Sequence, residues 1–342
     1  VLVFVMAVLP LSNKNSMFLM RAEIPGPTCD KLVPKARTTA RILYTMYLGL
    51  SVAEVIFLLA GDMNLYQAVI HTFSTAGTGG FSDRNASVAA FNSAYIDGVI
   101  TVFMLLFGIN FNFYFYLLYR HFKKAVSMEE IHYYLAMILI AITIIFLNVR
   151  TMYPTGFEAM THSVFQVASL ATSTGFSTTD FDLWPQTSRT ILVLLMFIGA
   201  CAGSTGGGIK VSRCVVMVKT VAKELNSYIH PRSVRKIKLE DKPIDREVLR
   251  SINVYFCTYL LIFCGSIFLL SLEGKDLVTN FTAVTATFNN IGPGLGMVSP
   301  SASFADYSAF SKIVLSVVML LGRLELSPLM IAITPSEWRK NR

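Results

Sequence analysis

Charge is scarce in this sequence. Of its 342 residues only 15% are Asp, Glu, Lys or Arg, while 54% are hydrophobic; a soluble domain averages about 25% charged. Mean hydropathy is +0.56. A soluble fold of this size has nowhere to bury so much apolar surface, and the same numbers exclude disorder, coiled coil, collagen and a disulfide scaffold. A polytopic protein of the lipid bilayer remains. Catalytic patterning is also missing. The five cysteines, Cys29, Cys201, Cys214, Cys257 and Cys264, form no CxxC pair and no His-rich cluster, so they read as reduced packing residues. No Ser–His, paired-Asp or HExxH constellation lies in the apolar runs, which removes the intramembrane-enzyme reading. The chain opens on VLVFV, with neither an initiator Met nor a basic n-region, so no signal peptide is expected. Residues 1–12 read as the remnant of a preceding spanning helix in a longer protein.

Apolar runs long enough to span occur at about 39–60, 94–119, 130–149, 188–213, 249–272 and 308–333, each near the roughly 20 residues a spanning helix needs. Between the members of each pair lies a shorter segment, 65–76, 156–172 or 277–289, apolar but rich in Ser, Thr and Asn and followed by glycine. These are too short to cross and suggest re-entrant segments. The chain therefore reads as a repeat of long helix, short segment and long helix over 39–119, 128–213 and 249–333. A connector covers 13–38 and a polar loop covers 214–248. The short segments end at Gly79, Gly175 and Gly292, at intervals of 96 and 117 residues. That period is too long for a solenoid and suits a duplicated membrane module.

The net charge of +8 is explained by topology. Basic residues cluster at 21–41, at Arg120, Lys123 and Lys124, through the 214–248 loop and at the C-terminus. The positive-inside rule places these in the cytoplasm and the glycine turns outside. No nucleic-acid role is needed.

The three turns read STAGTGGFS at 74–82, ATSTGFS at 171–177 and FNNIGPGLG at 288–296. Backbone that aims carbonyls at an axis must leave helical geometry, and glycine tolerates the positive φ this requires. Irregular backbone at membrane depth survives only when buried in protein or lining water. Carbonyl rings are how potassium pores replace an ion's hydration shell, and the short helices would point negative C-terminal ends at a cation. Ordinary outer loops are the alternative for any one turn; three in the same register favour a pore. The turns contain no Asp or Glu, unlike a hard divalent-cation site.

The run at 188–213 begins as a good helix and becomes GACAGSTGGGIK at 199–210. Interior glycines cost about 1 kcal/mol each relative to Ala, so the helix should unwind near mid-membrane and line a cavity. A phosphate-binding loop is disfavoured, because Ile209 follows Gly208 and Val211 stands where a hydroxyl is needed. Close helix packing and a flexible loop beneath the turns remain. Arg323 lies in the last apolar run, where an intramembrane Arg is a functional candidate. Glu325, two residues on, cannot face it, so its partner is expected among carbonyls of the 203–208 loop. The alternative is that it snorkels at the helix end. His71 and His162 read as packed side chains. Asp180 and Asp182 are expected at the outer mouth, concentrating cations, and Asn85-Ala86-Ser87 matches a glycosylation acceptor by pattern alone.

The motifs STAGTGGFS, ATSTGFSTTDF and FNNIGPGLG, supported by RAEIPGP at 21–27, GACAGSTGGGIK and GRLEL at 322–326, resemble those of the TrkH/KtrB family of potassium-uptake proteins, across essentially the whole chain. The resemblance implies an all-α membrane fold of repeated M1–P–M2, potassium-channel-like modules around a central pore, with three of four repeats present and one filter strand outside the sequence. It implies that Thr75, Ala76, Gly77, Thr78 and Gly79, then Ala171, Thr172, Ser173, Thr174 and Gly175, then Phe288, Asn289, Asn290, Ile291 and Gly292 form a potassium-binding selectivity filter. It implies a gate of Gly203, Ser204, Thr205, Gly206, Gly207, Gly208, Lys210 and Arg323. Potassium is then a substrate and no cofactor is expected. A homodimer and a cytosolic nucleotide-binding regulatory subunit with RCK-type domains are the implied partners, in a multi-pass bacterial inner-membrane protein. A secondary transporter with discontinuous helices, coupling a solute to sodium or protons, is the alternative; it would carry an inverted repeat, whereas the repeats here run in one sense.

Overall fold

The three short segments are helices because both ends are chemically specified. Asn64 accepts from the Gln67 N–H at 2.8 Å, Thr155 from Glu158 at 3.2 Å, and Asp276 from Val278 and Thr279 at 3.0 and 3.3 Å. These caps open α2 (Leu65–Ala76), α7 (Gly156–Ala171) and α11 (Leu277–Phe288). The computed structural model describes residues 36–230, 236–240 and 242–324. The apolar start, most of the 13–38 connector with RAEIPGP and Cys29, and the chain from Glu325 onward lie outside the described residues.

Each short helix sits between two longer partners. In the first unit α1 (Ala36–Ala60) and α3 (Ala94–Phe107) flank α2. In the second, α6 (Glu129–Val149) and α8 (Gln186–Ile198) flank α7. In the third, α10 (Arg246–Ser271) and α12 (Ala309–Arg323) flank α11. The apolar cores run across the units: Leu58, Ile100 and Met104 of the first pack with Phe165 of the second, Ile138, Ile145 and Leu192 of the second with Ile291 of the third, and Phe263, Val284 and Leu315 of the third with Ile209. The units join through α3 against α7 and α8 against α11. Spans 41–60, 129–152 and 246–271 are long and apolar enough to cross a bilayer. They leave Val52, Ile56, Leu139, Leu147, Leu261 and Phe268 exposed, as lipid-facing surfaces do.

Two of the expected spans differ from a simple helix. The 94–119 run bends by 90° between α3 and α4 (Phe111–Leu118). Gly108 ends the first piece, and the Asn110 carbonyl oxygen Oδ1 caps the next by accepting from Asn112 N–H at 3.0 Å. A short α5 (Phe122–Val126) follows. The 188–213 run stops at Ile198, because Gly199 takes φ +73°, and resumes as α9 (Val211–Ile229). The stretch read as a polar loop from 214 is thus helical to Ile229. It then holds a small antiparallel pair, β1 (Lys238–Leu239) and β2 (Lys242–Pro243), with Lys238 opposite Pro243. The last run is helical to Arg323.

Candidate functional site: three helix-end turns over an intramembrane loop

The turns after α2, α7 and α11 share one backbone. In each, the residue after the C-cap is left-handed without being glycine: Thr78 at φ +50°, Ser173 at +56° and Asn290 at +54°. The next N–H then reaches back five residues, Gly79 to Ser74 O at 2.7 Å, Thr174 to Ser169 O at 2.9 Å and Ile291 to Ala286 O at 2.8 Å. This is the Schellman arrangement, which satisfies carbonyls a helix end leaves orphaned. Two residues after the left-handed position comes a glycine with positive φ: Gly80 at +66°, Gly175 at +87° and Gly292 at +110°.

That register corrects the sequence reading by one residue. The equivalent of Gly175 and Gly292 is Gly80, not Gly79, and the first turn runs from Ala76 to Gly80 rather than from Thr75. A hydroxyl confirms the alignment: Ser74 Oγ donates to Phe81 O and Ser169 Oγ to Phe176 O, both at 2.6 Å. The Gly-Phe-Ser shared by 80–82 and 175–177 gives the same alignment. Gly79 does not carry the positive φ.

The turns meet one another in cyclic order. A methyl group placed on Gly80 would strike the Thr174 carbonyl, and one on Gly175 would strike the Ile291 carbonyl, whereas nothing lies within 4 Å at Gly292. Each of the first two strands therefore lies against the carbonyl edge of the next. Gly80, Gly175 and Gly292 also line one end of a cavity of about 240 Å³, together with Ser82, Ser177 and Pro293.

The opposite end of the turns rests on the 199–210 loop. Thr205 O accepts from Thr78 Oγ1 at 3.0 Å and from Arg323 Nη1 at 3.2 Å. Ser173 Oγ accepts from the Gly207 N–H. Gly206 and Gly207 lie close beneath the Thr172 and Asn289 carbonyls. Arg323 Nη2 reaches Gly77 O at 3.5 Å, and Gly322 packs under the Phe288 carbonyl. Arg323 is exposed and meets the loop carbonyl that the sequence reading sought. Lys210 is buried, left-handed at φ +83°, and its ammonium donates back to Gly206 O within the loop. Gly203 adjoins the Asn110 side chain, and Ser204 Oγ bonds Cys201 O at 2.6 Å. Two of the loop's N–H groups find the carbonyls freed by the α3–α4 bend: Cys201 to Gly108 O at 3.1 Å and Thr205 to Phe107 O at 3.4 Å. Two broken helices thus complete each other's hydrogen bonding, as buried irregular backbone must.

The remaining candidates sit elsewhere. His71 bonds Gln67 O and Ser82 Oγ and stacks on Phe176; His162 bonds Thr178 Oγ1. Both are packed side chains. Asp180 and Asp182 do not line the cavity. Asp180 caps the Asp182 N–H and accepts from Ser301 Oγ, while Asp182 pairs with Arg189 at 3.2 Å and accepts from Gly296 N–H at 3.2 Å. They hold the second unit to the third, and the charged residue on the cavity wall is Arg84. Asn85 and Ser87 line that same cavity. Sequence reasoning missed Glu130, a buried carboxylate on α6 that accepts three hydrogen bonds around the loop. The signal was the Glu129-Glu130 pair. One acidic residue at a helix start is routine; a second turned inward at a membrane helix end is not.

The TrkH family model, described as a cation transport protein, matches residues 1–340. The Trk system potassium uptake protein TrkH of Salmonella typhimurium is 36% identical over 344 residues, covering 99% of this chain and 71% of that protein. TrkH of Vibrio parahaemolyticus is 37% identical over 354 residues, again covering 99% and 71%. The crystal structure of the potassium transporter TrkH from Vibrio parahaemolyticus superposes with a TM-score of 0.86 at 32% identity, over 98% of this chain and 70% of that one. An integral membrane protein of repeated M1–P–M2 units without enzymatic chemistry, this chain belongs to the TrkH family of cation transport proteins.

Proposed function

We propose that the three turns form the wall of a potassium-selective passage and that the 203–208 loop with Arg323 gates it. One observation carries this reading: three helix ends of one backbone geometry, each of the first two packed against the next, lie between an open cavity and a loop that touches all three. The turn carbonyls stand in for water around a bare monovalent ion. The C-terminal ends of α2, α7 and α11 add partial negative charge. The loop closes the passage from below, and the guanidinium of Arg323 beside Gly77 O and Thr205 O opposes a cation there electrostatically. The open face at Gly292 is where a fourth equivalent turn closes the ring.

The clusters of Lys and Arg support a cytoplasmic position for the loop side and an outer position for the cavity. The names of the relatives, each a protein of a Trk system, support work alongside further components. A second copy of the chain and a cytosolic nucleotide-binding RCK-type subunit are the partners this reading takes. The repeats share one sense, which favours a channel-like passage over an inverted-repeat transporter.

The test is rubidium uptake by the intact transporter in cells lacking their own potassium uptake, with and without excess sodium. Uptake that sodium does not compete supports the potassium-selective passage. Uptake abolished by equimolar sodium, or absent, contradicts it. Shortening the loop by deleting residues from 206–208 is expected to raise flux; unchanged flux makes the loop a packing element only.

A further inference from the structure

The 199–210 segment has a neck closed by backbone hydrogen bonds between its two strands and a tip that reaches the α3–α4 bend and the turns. At the neck, Ile209 N–H donates to Phe197 O at 3.1 Å, Lys210 to Ile198 O at 2.9 Å and Val211 to Ala200 O at 3.1 Å. The chain therefore leaves α8 and enters α9 at nearly the same place, as in a compact surface loop with adjoining ends. The tip, by contrast, is held to the turns by single bonds from side chains, Thr78 Oγ1 and Arg323 to Thr205 O, and by the Gly207 N–H on Ser173 Oγ.

Across the neck lies one carboxylate from another helix. Glu130, 4% exposed, is at the start of α6. Its Oε1 accepts from Ala202 N–H at 2.6 Å, on the strand entering the loop, and from Ser212 N–H at 3.1 Å, on the strand leaving it. Its Oε2 faces the Asn110 amide at 3.4 Å, at the α3–α4 bend. Ser212 lies in the first turn of α9, where free N–H groups and the helix dipole favour an anion. Charge-assisted bonds of this kind are about twice as strong as neutral ones. Removing the acceptor would leave two buried N–H groups unsatisfied.

We propose that Glu130 is the positioning residue of the intramembrane loop, a clamp that fixes its neck so that only the tip swings from beneath the turns. It touches no part of the ion path; it sets where the gate returns. This rests on the reading of 203–208 as a gate. The clamp also ties the first unit's bend to the second unit's loop through Asn110, so movement of α4 is transmitted to the gate neck.

The test uses the intact transporter with Cys29, Cys214, Cys257 and Cys264 replaced by Ser. Any cysteine of the intact transporter outside these 342 residues is replaced likewise, so that Cys201, buried beside Ala202 in the neck, is the one thiol left and reports on loosening. Glu130→Gln keeps the shape and removes the charge. Glu130→Asp keeps the charge and shortens the reach, and serves if the first variant fails to reach the membrane. Either is expected to speed labelling of Cys201 by a small maleimide and to raise resting rubidium flux several-fold. Rubidium-over-sodium preference should stay unchanged, because the turns are untouched. A merely structural role would lower membrane abundance without raising flux per molecule. Wild-type labelling and wild-type flux at wild-type abundance overturn the clamp. A loop shortened within 206–208 is run in parallel. If that raises flux and the Glu130 variants do not, the clamp fails while the gate stands; if neither does, the gate reading itself has failed.

Discussion

The turns after α7 and α11 have one backbone and two environments. Ser173 and Asn290 share a left-handed φ, and Gly175 and Gly292 follow at +87° and +110°. Yet residues 172–174 are wholly buried, and Gly175 is backed by the Ile291 carbonyl, whereas Gly292 is exposed with open space behind it. Local chemistry fixes the turn, since a helix end must satisfy its last carbonyls whatever lies nearby. The neighbours fix how much a change there costs. Substitutions at equivalent positions should therefore differ in a graded way.

The largest effect is expected at Gly175→Ala. A left-handed φ costs an L-residue about 1–2 kcal/mol, and the new methyl meets the Ile291 backbone, which cannot step aside. Rubidium uptake per membrane-inserted molecule should fall at least about tenfold, the equivalent of roughly 1.4 kcal/mol. Gly80→Ala, against the Thr174 carbonyl, belongs in the same class. Gly292→Ala brings the strain without the collision, so the same assay should show a smaller, few-fold loss. Equal losses at 175 and 292 would break the comparison by making strain the whole effect.

Smaller still is Ser169→Ala. It removes the hydroxyl bond to Phe176 O, a net loss of about 0.5–1.5 kcal/mol. The third unit has Ala286 at this position and forms the same turn without it. The thermal unfolding midpoint in detergent should drop by a few degrees while ion preference is kept. The smallest effect is expected for Gly79→Ala. Gly79 has no positive φ, and its added methyl meets only the Phe81 ring at 2.9 Å, which can rotate away. Near wild-type uptake in Gly79→Ala beside a crippled Gly80→Ala sharpens the register; the reverse order overturns it.

Much of this architecture was legible in the sequence, for physical reasons. Apolar run length reports on bilayer thickness, and α1, α6 and α10 follow it closely. The short helices were legible because their apolar stretches, rich in Ser, Thr and Asn, are too short to cross and glycines follow; their caps at Asn64, Thr155 and Asp276 emerge from the structure. The unwinding at Gly199 was legible from glycine density, and the Arg323 partner from the cost of an unsatisfied cation at membrane depth. The 90° bend at 108–110 was not. Gly108 and Asn110 sit inside a run whose hydropathy alone reads as one span, and only the docked 199–210 loop makes a break favourable by using the freed carbonyls. The Gly79–Gly80 choice, by contrast, was open to sequence, because Gly80-Phe81-Ser82 repeats as Gly175-Phe176-Ser177, and counting from the helix end alone missed it. Asp180 and Asp182 looked like a cation-concentrating mouth, but their oxygens are committed to Ser301, Gly296 and Arg189. Composition gives a carboxylate's presence; its partners decide whether its charge is free to act.

On the proposed function, a bare monovalent cation rests among the main-chain oxygens of the three turns. Anomalous diffraction from crystals of the intact transporter grown with rubidium or thallium in place of potassium tests it most directly. The account predicts anomalous density on the axis shared by the strands ending at Gly80, Gly175 and Gly292, above the Thr205–Arg323 contact. Density found only at sites away from those carbonyls, with none on that axis, would contradict it.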